Sequence, residues 1–279
     1  MHRGRVNALI RSWTLAGLTP STVRNLVDPL RVMFREAVED GEIALGSDPT
    51  IKLKVPQGRG RRERVADRRE AHILLDALPD AERALWACAF YGGLRRGELR
   101  SLRWSDIDFD GGGIHVTKTW DDVEGNVAPK SDAGVRLVPL VGLLRRMLAE
   151  HKLASGRGAE DLVFGRTPVD PFIPSTVNFR ARRAWGWKRV PNPDLATNAD
   201  ARPKEVWVKA REDALEPLTQ HEARHSNVSY MIEAELNDLE LSTTIGHSDP
   251  RTTKMIYGHL FPDSRAVITG KMDAYLGTG

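Results

Sequence analysis

A single cysteine, Cys88, stands in a chain of 279 residues. That excludes an intramolecular disulfide framework. Its setting in "ALWACAF" reads as core, which suits a reducing cytosol. No run reaches ~18 apolar residues, so no segment reads as a membrane-spanning helix. The first residues are polar and lack the apolar stretch of a secretory signal. A soluble, cytoplasmic protein is expected. Charge of one sign is also missing: 41 basic residues face 38 acidic ones, for a net +3. The total therefore says little about partners. Tyrosine is scarce, with four in the chain.

What is present is a hydrophobic content of 41%, enough for one large domain or two modest ones. The charge is unevenly spread. Residues 1–65 carry twelve Lys/Arg against seven Asp/Glu, an excess above that of the whole chain. A basic end points towards nucleic acid. Within it, "GRGRRERVADRRE" holds Arg59, Arg61, Arg62 and Arg64. This is a basic linker over 58–66: a solvated surface stretch, or a strap on a phosphate backbone.

The pattern before the linker is helical. Residues 1–16 space Val6, Leu9, Ile10, Trp13 and Leu15 roughly helically and are expected to be the tail of a longer helix. Thr19-Pro20 then reads as N-cap and N1 of a helix with an apolar stripe of Val23, Leu26, Leu30, Met33, Phe34 and Ala37. Pro29 should kink or split it. After the linker, Asp67 with Glu70 resembles a capping box. "DAERALWACAFYGG" is a strongly apolar helix ending at Gly92-Gly93, and "RRGELRSLRW" is a short helix. "IDFDGGGIHVTKTW", the turn-rich "DDVEGNVAPKSDAG" and "VRLVPL" predict a small three-stranded antiparallel unit. "VGLLRRMLAEHKLA" is an amphipathic helix, "DLVF" a short strand or edge, and "STVNFRARRAWGW" a helix. The Pro- and Asn-rich stretch 188–216 lacks periodicity and reads as a surface insertion or long loop. "LTQHEARHSNVSYMIEAEL", capped by Thr219 and Glu222, and "NDLELSTTIGH" are helices. A last helix is expected in "DSRAVITGKMDAYL". The predicted class is mainly α with a small antiparallel sheet, preceded by a small all-α domain.

Several residues could carry chemistry. Gly92 and Gly93 bring Arg95 to a helix N-terminus, where free N–H groups and a guanidinium fork both favour an anion. Glu98, three residues on, could hold Arg95 or pair with a surface arginine. In "HEARH", His221 and Arg224 share a helix face and combine a titratable imidazole with a permanent charge. His225 is expected to point elsewhere. His221 and His225 also have the i,i+4 spacing of zinc helices, but no third ligand is evident, so no metal and no cofactor are expected. Lys130 sits in a hairpin turn, either solvated or able to reach a substrate. "TTIGHSDPRTTKMIYGHL" places Tyr257 ten residues after His247. A phenol titrates near ~10, so Tyr257 would need a polarised target to act as a nucleophile.

Taken together, "GGLRRGELRSLRWSDID", "HEARH" and "IGHSDPRTTKMIYGHL" resemble the first arginine box, the His-x-x-Arg box and the nucleophile box of the tyrosine recombinase/phage integrase family. The resemblance implies a site-specific recombinase that cuts and rejoins DNA through a 3′-phosphotyrosyl link. It implies that Arg95 and Arg224 clamp the scissile phosphate and that Tyr257 attacks it. Lys130 would protonate the leaving 5′-oxygen, His221 would help take the tyrosine proton, and His247 would bond a phosphate oxygen. Glu98 occupies the supporting acidic position. Residues 1–57 resemble a core-type DNA-binding domain, N-terminally shortened, and 67–279 the catalytic domain. Members often carry Thr at the position of Gly93, and the extra glycine is expected to loosen the turn. Implied partners are double-stranded DNA at att-type sites of a phage or mobile element, a homotetramer on DNA, and accessory DNA-bending or directionality factors. A nucleoid-associated location follows. Two other readings are a type IB topoisomerase-like relaxing enzyme and a degenerate integrase that only binds DNA.

Overall fold

In the computed structural model of the protein, residues 2–44, 46–56, 64–129, 131–192 and 204–246 are described. Residues 57–63, most of the expected linker, together with Lys130 and everything from His247 onward lie outside them, including Tyr257 and the expected last helix. The chain divides into two compact units, Met1–Arg62 and Glu63–Gly279.

In the first unit α1 (Arg3–Leu15) packs on α2 (Pro20–Glu39). Thr19 caps α2 by accepting from the Thr22 N–H, with Pro20 in the first turn. Val6, Ile10, Val23 and Val27 form the core, flanked by Trp13, Leu18, Leu30, Leu53 and Val55. The buried stripe is rotated from the expected one: Leu26 and Met33 are exposed. Nor does Pro29 split the helix, which runs through it. Pro29 and Asn25, whose carbonyl loses its partner, both lie on the exposed side, where water can satisfy that oxygen.

The second unit is organised around α4 (Asp80–Tyr91). Its residues from Ala84 to Phe90 are all buried, so it is apolar on every side. α3 (Arg68–Asp76), α6 (Gly142–Ser155) and α8 (Gln220–Glu233) pack against it. Trp86 meets Trp185 edge-on at 5.0 Å, and the Trp185 indole N–H donates to the Leu74 carbonyl at 2.9 Å. Each fully buried aromatic or aliphatic side chain here contributes ~1.5–3 kcal/mol. After α4 comes the short α5 (Arg96–Ser101).

The expected three-stranded antiparallel sheet is present, built from β1 (Ile107–Asp108), β2 (Gly113–Val116) and β5 (Arg136–Pro139). Ile114 pairs with Val138 and Val116 with Arg136. The turn-rich stretch between them forms a hairpin of its own, β3 (Thr119–Asp121) with β4 (Gly125–Val127). Its turn is closed by Asp121 Oδ1, which accepts from the Val123 and Glu124 N–H groups.

Two expectations are corrected. "DLVF" is no strand. Leu162, Val163 and Phe164 are buried, but the stretch has only an isolated bridge from Leu162 to Arg103. Within 188–216, residues 188–192 and 204–209 are strand rather than loop, while 210–216 are irregular. After α7 (Pro174–Ala184), β6 (Trp187–Asn192) pairs with β7 (Lys204–Lys209) as an antiparallel ribbon. Pro191 is tolerated because a two-stranded ribbon has free edges, where no N–H is required.

α8 starts with a full Thr219–Glu222 capping box, and α9 (Asp238–Ile245) with an Asn237–Glu240 one. Val228, Ile232, Leu241 and Ile245 pack the two helices together.

Candidate active site

The short α5 carries Arg95 at its N-cap. The Arg95 N–H donates to Glu98 Oε2 at 2.7 Å, and its guanidinium donates to Oε1 at 2.8 Å. Gly93 makes this approach feasible. It takes φ +60, and an added Cβ would lie 2.5 Å from Asn227 Oδ1. Asn227 in turn donates to the Phe90 carbonyl at 3.0 Å. The glycine therefore fixes the turn against α8; it does not loosen it.

Arg224 rises from α8 into the same place. It is buried and donates to the Gly93 carbonyl and, at 2.7 Å, to the Ile245 carbonyl. Arg95 donates to the Gly246 carbonyl at 2.7 Å. A third guanidinium completes the cluster. Arg136, on the inward side of β5, donates to Glu98 Oε1 at 2.8 Å and Oε2 at 2.9 Å, and to the Thr244 carbonyl at 2.8 Å. Three successive carbonyls at the end of α9 are thus taken by three different arginines. This fits the negative end of a helix dipole. Gly246 takes φ +69, and a Cβ there would come within 2.7 Å of the Ala133 carbonyl. The described chain thus reaches the arginines at Gly246.

The charge balance of the cluster favours anions. Three guanidiniums face one carboxylate, Glu98. Burial raises the Glu98 carboxyl; the Arg136 hydrogen bonds and charge, then Arg224 and the Arg95 N–H, outweigh it and hold the group at about 2. Burial, then the Arg95 charge, lowers Arg224 to about 9, so it stays cationic at neutral pH. Arg95 is the accessible member, with 38% of its side chain exposed.

Sequence reasoning missed Arg136. The signal was there: in "VRLVPL", strand alternation puts Arg136 on the same side as Val138, facing the core. An arginine on an inward face needs a carboxylate partner.

His221 lies exposed in the first turn of α8, one turn before Arg224. His225 does not point elsewhere. It is buried, and its ring meets that of His221 edge-on at 4.4 Å, as i,i+4 residues on one helix side do. Among the described residues no group of three His, Cys, Asp or Glu side chains could hold a metal ion. Arg64 pairs with Glu70 at the start of α3. Arg59, Arg61, Arg62, Lys130, His247 and Tyr257 lie outside the described residues.

The hairpin that precedes Lys130 is tied to the cluster. A Cβ on Gly97 of α5 would lie 2.2 Å from Thr119 Oγ1, so only glycine admits β3 this close. Arg100 bonds Asp122 at 2.6 Å, and Ser101 Oγ donates to the Lys118 carbonyl at 3.0 Å.

Two of the four tyrosines, Tyr91 and Tyr230, lie among the described residues. The Tyr230 hydroxyl donates to the Ala66 carbonyl at 2.7 Å. Burial, then Tyr91, raises its phenol. Burial, then the Asp76 charge, pushes Tyr91 up to about 12. Both phenols are poorer nucleophiles than a free one.

The family model described as the phage integrase family matches residues 64–263, which include every residue of this cluster. The chain belongs to the phage integrase family. Among similar relatives, the ICEBs1 integrase of Bacillus subtilis (strain 168) is 24% identical over 269 residues, which cover 93% of this chain and 67% of that protein. The prophage integrase IntR of Escherichia coli (strain K12) is 24% identical over 257 residues, 88% of this chain and 59% of that protein. The chain thus spans about three-fifths to two-thirds of the length of these two relatives. Among solved structures, the Tn1549 transposon integrase in complex with transposon right end DNA has a TM-score of 0.72 at 16% identity, covering 98% of this chain and 85% of that one. A lambda integrase dimer bound to a COC′ core site has a TM-score of 0.60 at 19% identity, covering 92% and 79%. These integrases share the fold. Among the described residues no helix is long and apolar enough to cross a membrane.

Proposed function

We propose that this integrase-family chain is a site-specific DNA recombinase of the tyrosine type, acting for a phage or mobile element at att-type sites. The observation that carries the reading is the arginine cluster. Arg95 is fixed on Glu98 and on the end of α9, and Arg224 on the Gly93 and Ile245 carbonyls, inside the stretch 64–263 that matches the integrase family. Two preorganised guanidiniums stabilise the charge that develops on a phosphorane without reorganising at the moment of reaction.

In this reading the Tyr257 oxygen attacks phosphorus, and the bond from phosphorus to the 5′-oxygen breaks. Lys130 gives a proton to that oxygen, leaving a free 5′-hydroxyl and a 3′-phosphotyrosyl link. His221 helps remove the phenol proton, and His247 bonds a non-bridging oxygen. The new bond keeps the energy of the old one, so a second 5′-hydroxyl rejoins the strand without ATP, and two guanidiniums with one ammonium stand in for a metal. Strand exchange between two duplexes uses four such sites, hence a homotetramer on DNA, assisted by DNA-bending or directionality factors, in the cytoplasm at the nucleoid. Residues 1–57 act as the core-type DNA-binding domain, and the basic stretch with Arg59, Arg61, Arg62 and Arg64 adds contacts to the phosphate backbone.

The test is a nicked duplex bearing the element's att site, which traps the covalent intermediate. The expected result is a protein–DNA adduct that disappears in Tyr257→Phe. An adduct that survives, or that maps to Tyr230 or Tyr275, overturns the assignment. Relaxation of a supercoiled plasmid without an att site, by monomer, would instead favour the topoisomerase reading.

A further inference from the structure

We propose that α7 and the β6–β7 ribbon form a second DNA-binding surface, which grips duplex phosphates other than the scissile one. The proposal rests on the reading of the chain as a DNA recombinase, and it concerns residues outside the arginine–glutamate cluster.

Three guanidiniums and two aromatic rings are gathered here. Arg182 and Arg189 lie 5.3 and 5.1 Å from the centre of the Trp207 ring. Arg189 and Arg183 lie 5.4 and 5.9 Å from that of Phe179. The two rings are 5.4 Å apart. The fold produces the cluster simply. Phe179 and Arg183 are i,i+4 on α7, and Arg189 lies directly opposite Trp207 across the ribbon, so both rise from one face.

Three like charges this close repel one another, and the protein supplies little to offset it. Glu205 bonds Arg189 at 3.3 Å, on an exposed edge. Arg182 and Arg183 form no ion pair with a described residue. Along residues 174–192 the chain carries Arg180, Arg182, Arg183, Lys188 and Arg189 and no acidic residue. Arg183 and Arg189 are exposed and Arg182 is half-buried, so guanidiniums held close to a ring keep N–H donors within reach of a ligand. A fixed fork presented to solvent suits phosphate oxygens, which it meets bidentately at little entropic cost. A row of such forks on a ribbon suits a regular polyanion, and the duplex backbone is the one this chain acts on.

Binding of the full chain to a labelled duplex of random sequence, followed by anisotropy over a salt series, tests this. Each lost phosphate contact should reduce the slope of log K against log salt by ~0.9. The double variant Arg182→Gln/Arg183→Gln should therefore lower the slope by ~1–2. Trp207→Leu keeps every charge but removes the plate, and should weaken binding several-fold, with Trp207→Phe restoring most of it. Lys188→Gln, on the opposite face of the ribbon, is the control. An unchanged slope in the double variant, or an equal fall with Lys188→Gln, overturns the proposal. So does a double variant that keeps the slope and loses only self-association, because the surface would then meet another copy of the chain. Adduct formation on the nicked att duplex is read in the same preparations. A wild-type adduct with an unchanged slope sinks this surface alone. Absence of both adduct and DNA binding sinks the recombinase reading as well.

Discussion

Arg136 holds both carboxylate oxygens of Glu98, at 2.8 and 2.9 Å, and the two side chains are only 2% and 4% exposed. The same guanidinium reaches the Thr244 carbonyl, so one residue joins β5, α5 and α9. Arg136→Met should leave Glu98 buried with half its partners gone and cost ~3–5 kcal/mol. Arg136→Lys should recover only part, because an ammonium cannot span both oxygens and the α9 carbonyl. Urea unfolding measures this, and a loss under about 1 kcal/mol for the Met variant would refute the bridging role.

The same pair sets an acid limit. In the unfolded chain Glu98 titrates near the ordinary carboxylate value of 4.5; in the fold it is held at about 2. A depressed carboxylate contributes stability that is complete above ~4.5 and is lost as pH falls towards ~2. The contribution is on the order of 3 kcal/mol. Unfolding free energy measured from pH 6 to pH 2 should fall less steeply in Glu98→Gln than in the wild type, from a lower plateau. Parallel curves would contradict the linkage.

Gly93 is held by conformation and by space together. Gly93→Ala, and equally Gly93→Thr, should cost ~1–2 kcal/mol for a side chain at positive φ, and more for the clash with Asn227. In a domain of this size that is a fall of roughly 2–4 °C per kcal/mol in melting temperature. Adding Asn227→Ala should relieve the clash but not the φ strain, so the double-mutant cycle separates them.

Arg95 and Arg224 should separate chemistry from stability. Arg95→Ala, at a partly exposed position, should keep the fold and DNA binding while cleavage falls ~10²–10³-fold, as when one oxyanion contact is removed. Arg224→Ala should lose cleavage similarly and also melt lower, because its fork holds the Gly93 and Ile245 carbonyls. Single-turnover cleavage of the nicked duplex, beside calorimetry, reads both.

Tyr230→Phe should still form the adduct and cost ~1 kcal/mol for the lost bond to Ala66. Loss of the adduct without loss of stability would make Tyr230 a chemical residue after all.

The sequence by itself determined what local rules control. The capping boxes at Thr219 and Asn237, the apolar α4, the Gly92-Gly93 break and the bond from Arg95 to Glu98 lie within a few residues of each other, where spacing dictates geometry. The three motif boxes also named the family. Tertiary structure decided what depends on long-range partners. Nothing near Arg136 in sequence announces that Glu98, 38 residues away, will take its fork. The ribbon β6–β7 hid in a Pro- and Asn-rich stretch because its pairing partners stand far apart along the chain. Which side of α2 is buried was set by α1 and by Leu53 and Val55, not by α2's own period. The gathering of Arg95, Arg136 and Arg224 on the last carbonyls of α9 came only from packing α9 on α8, because those carbonyls become acceptors for the cluster only once the helix is in place.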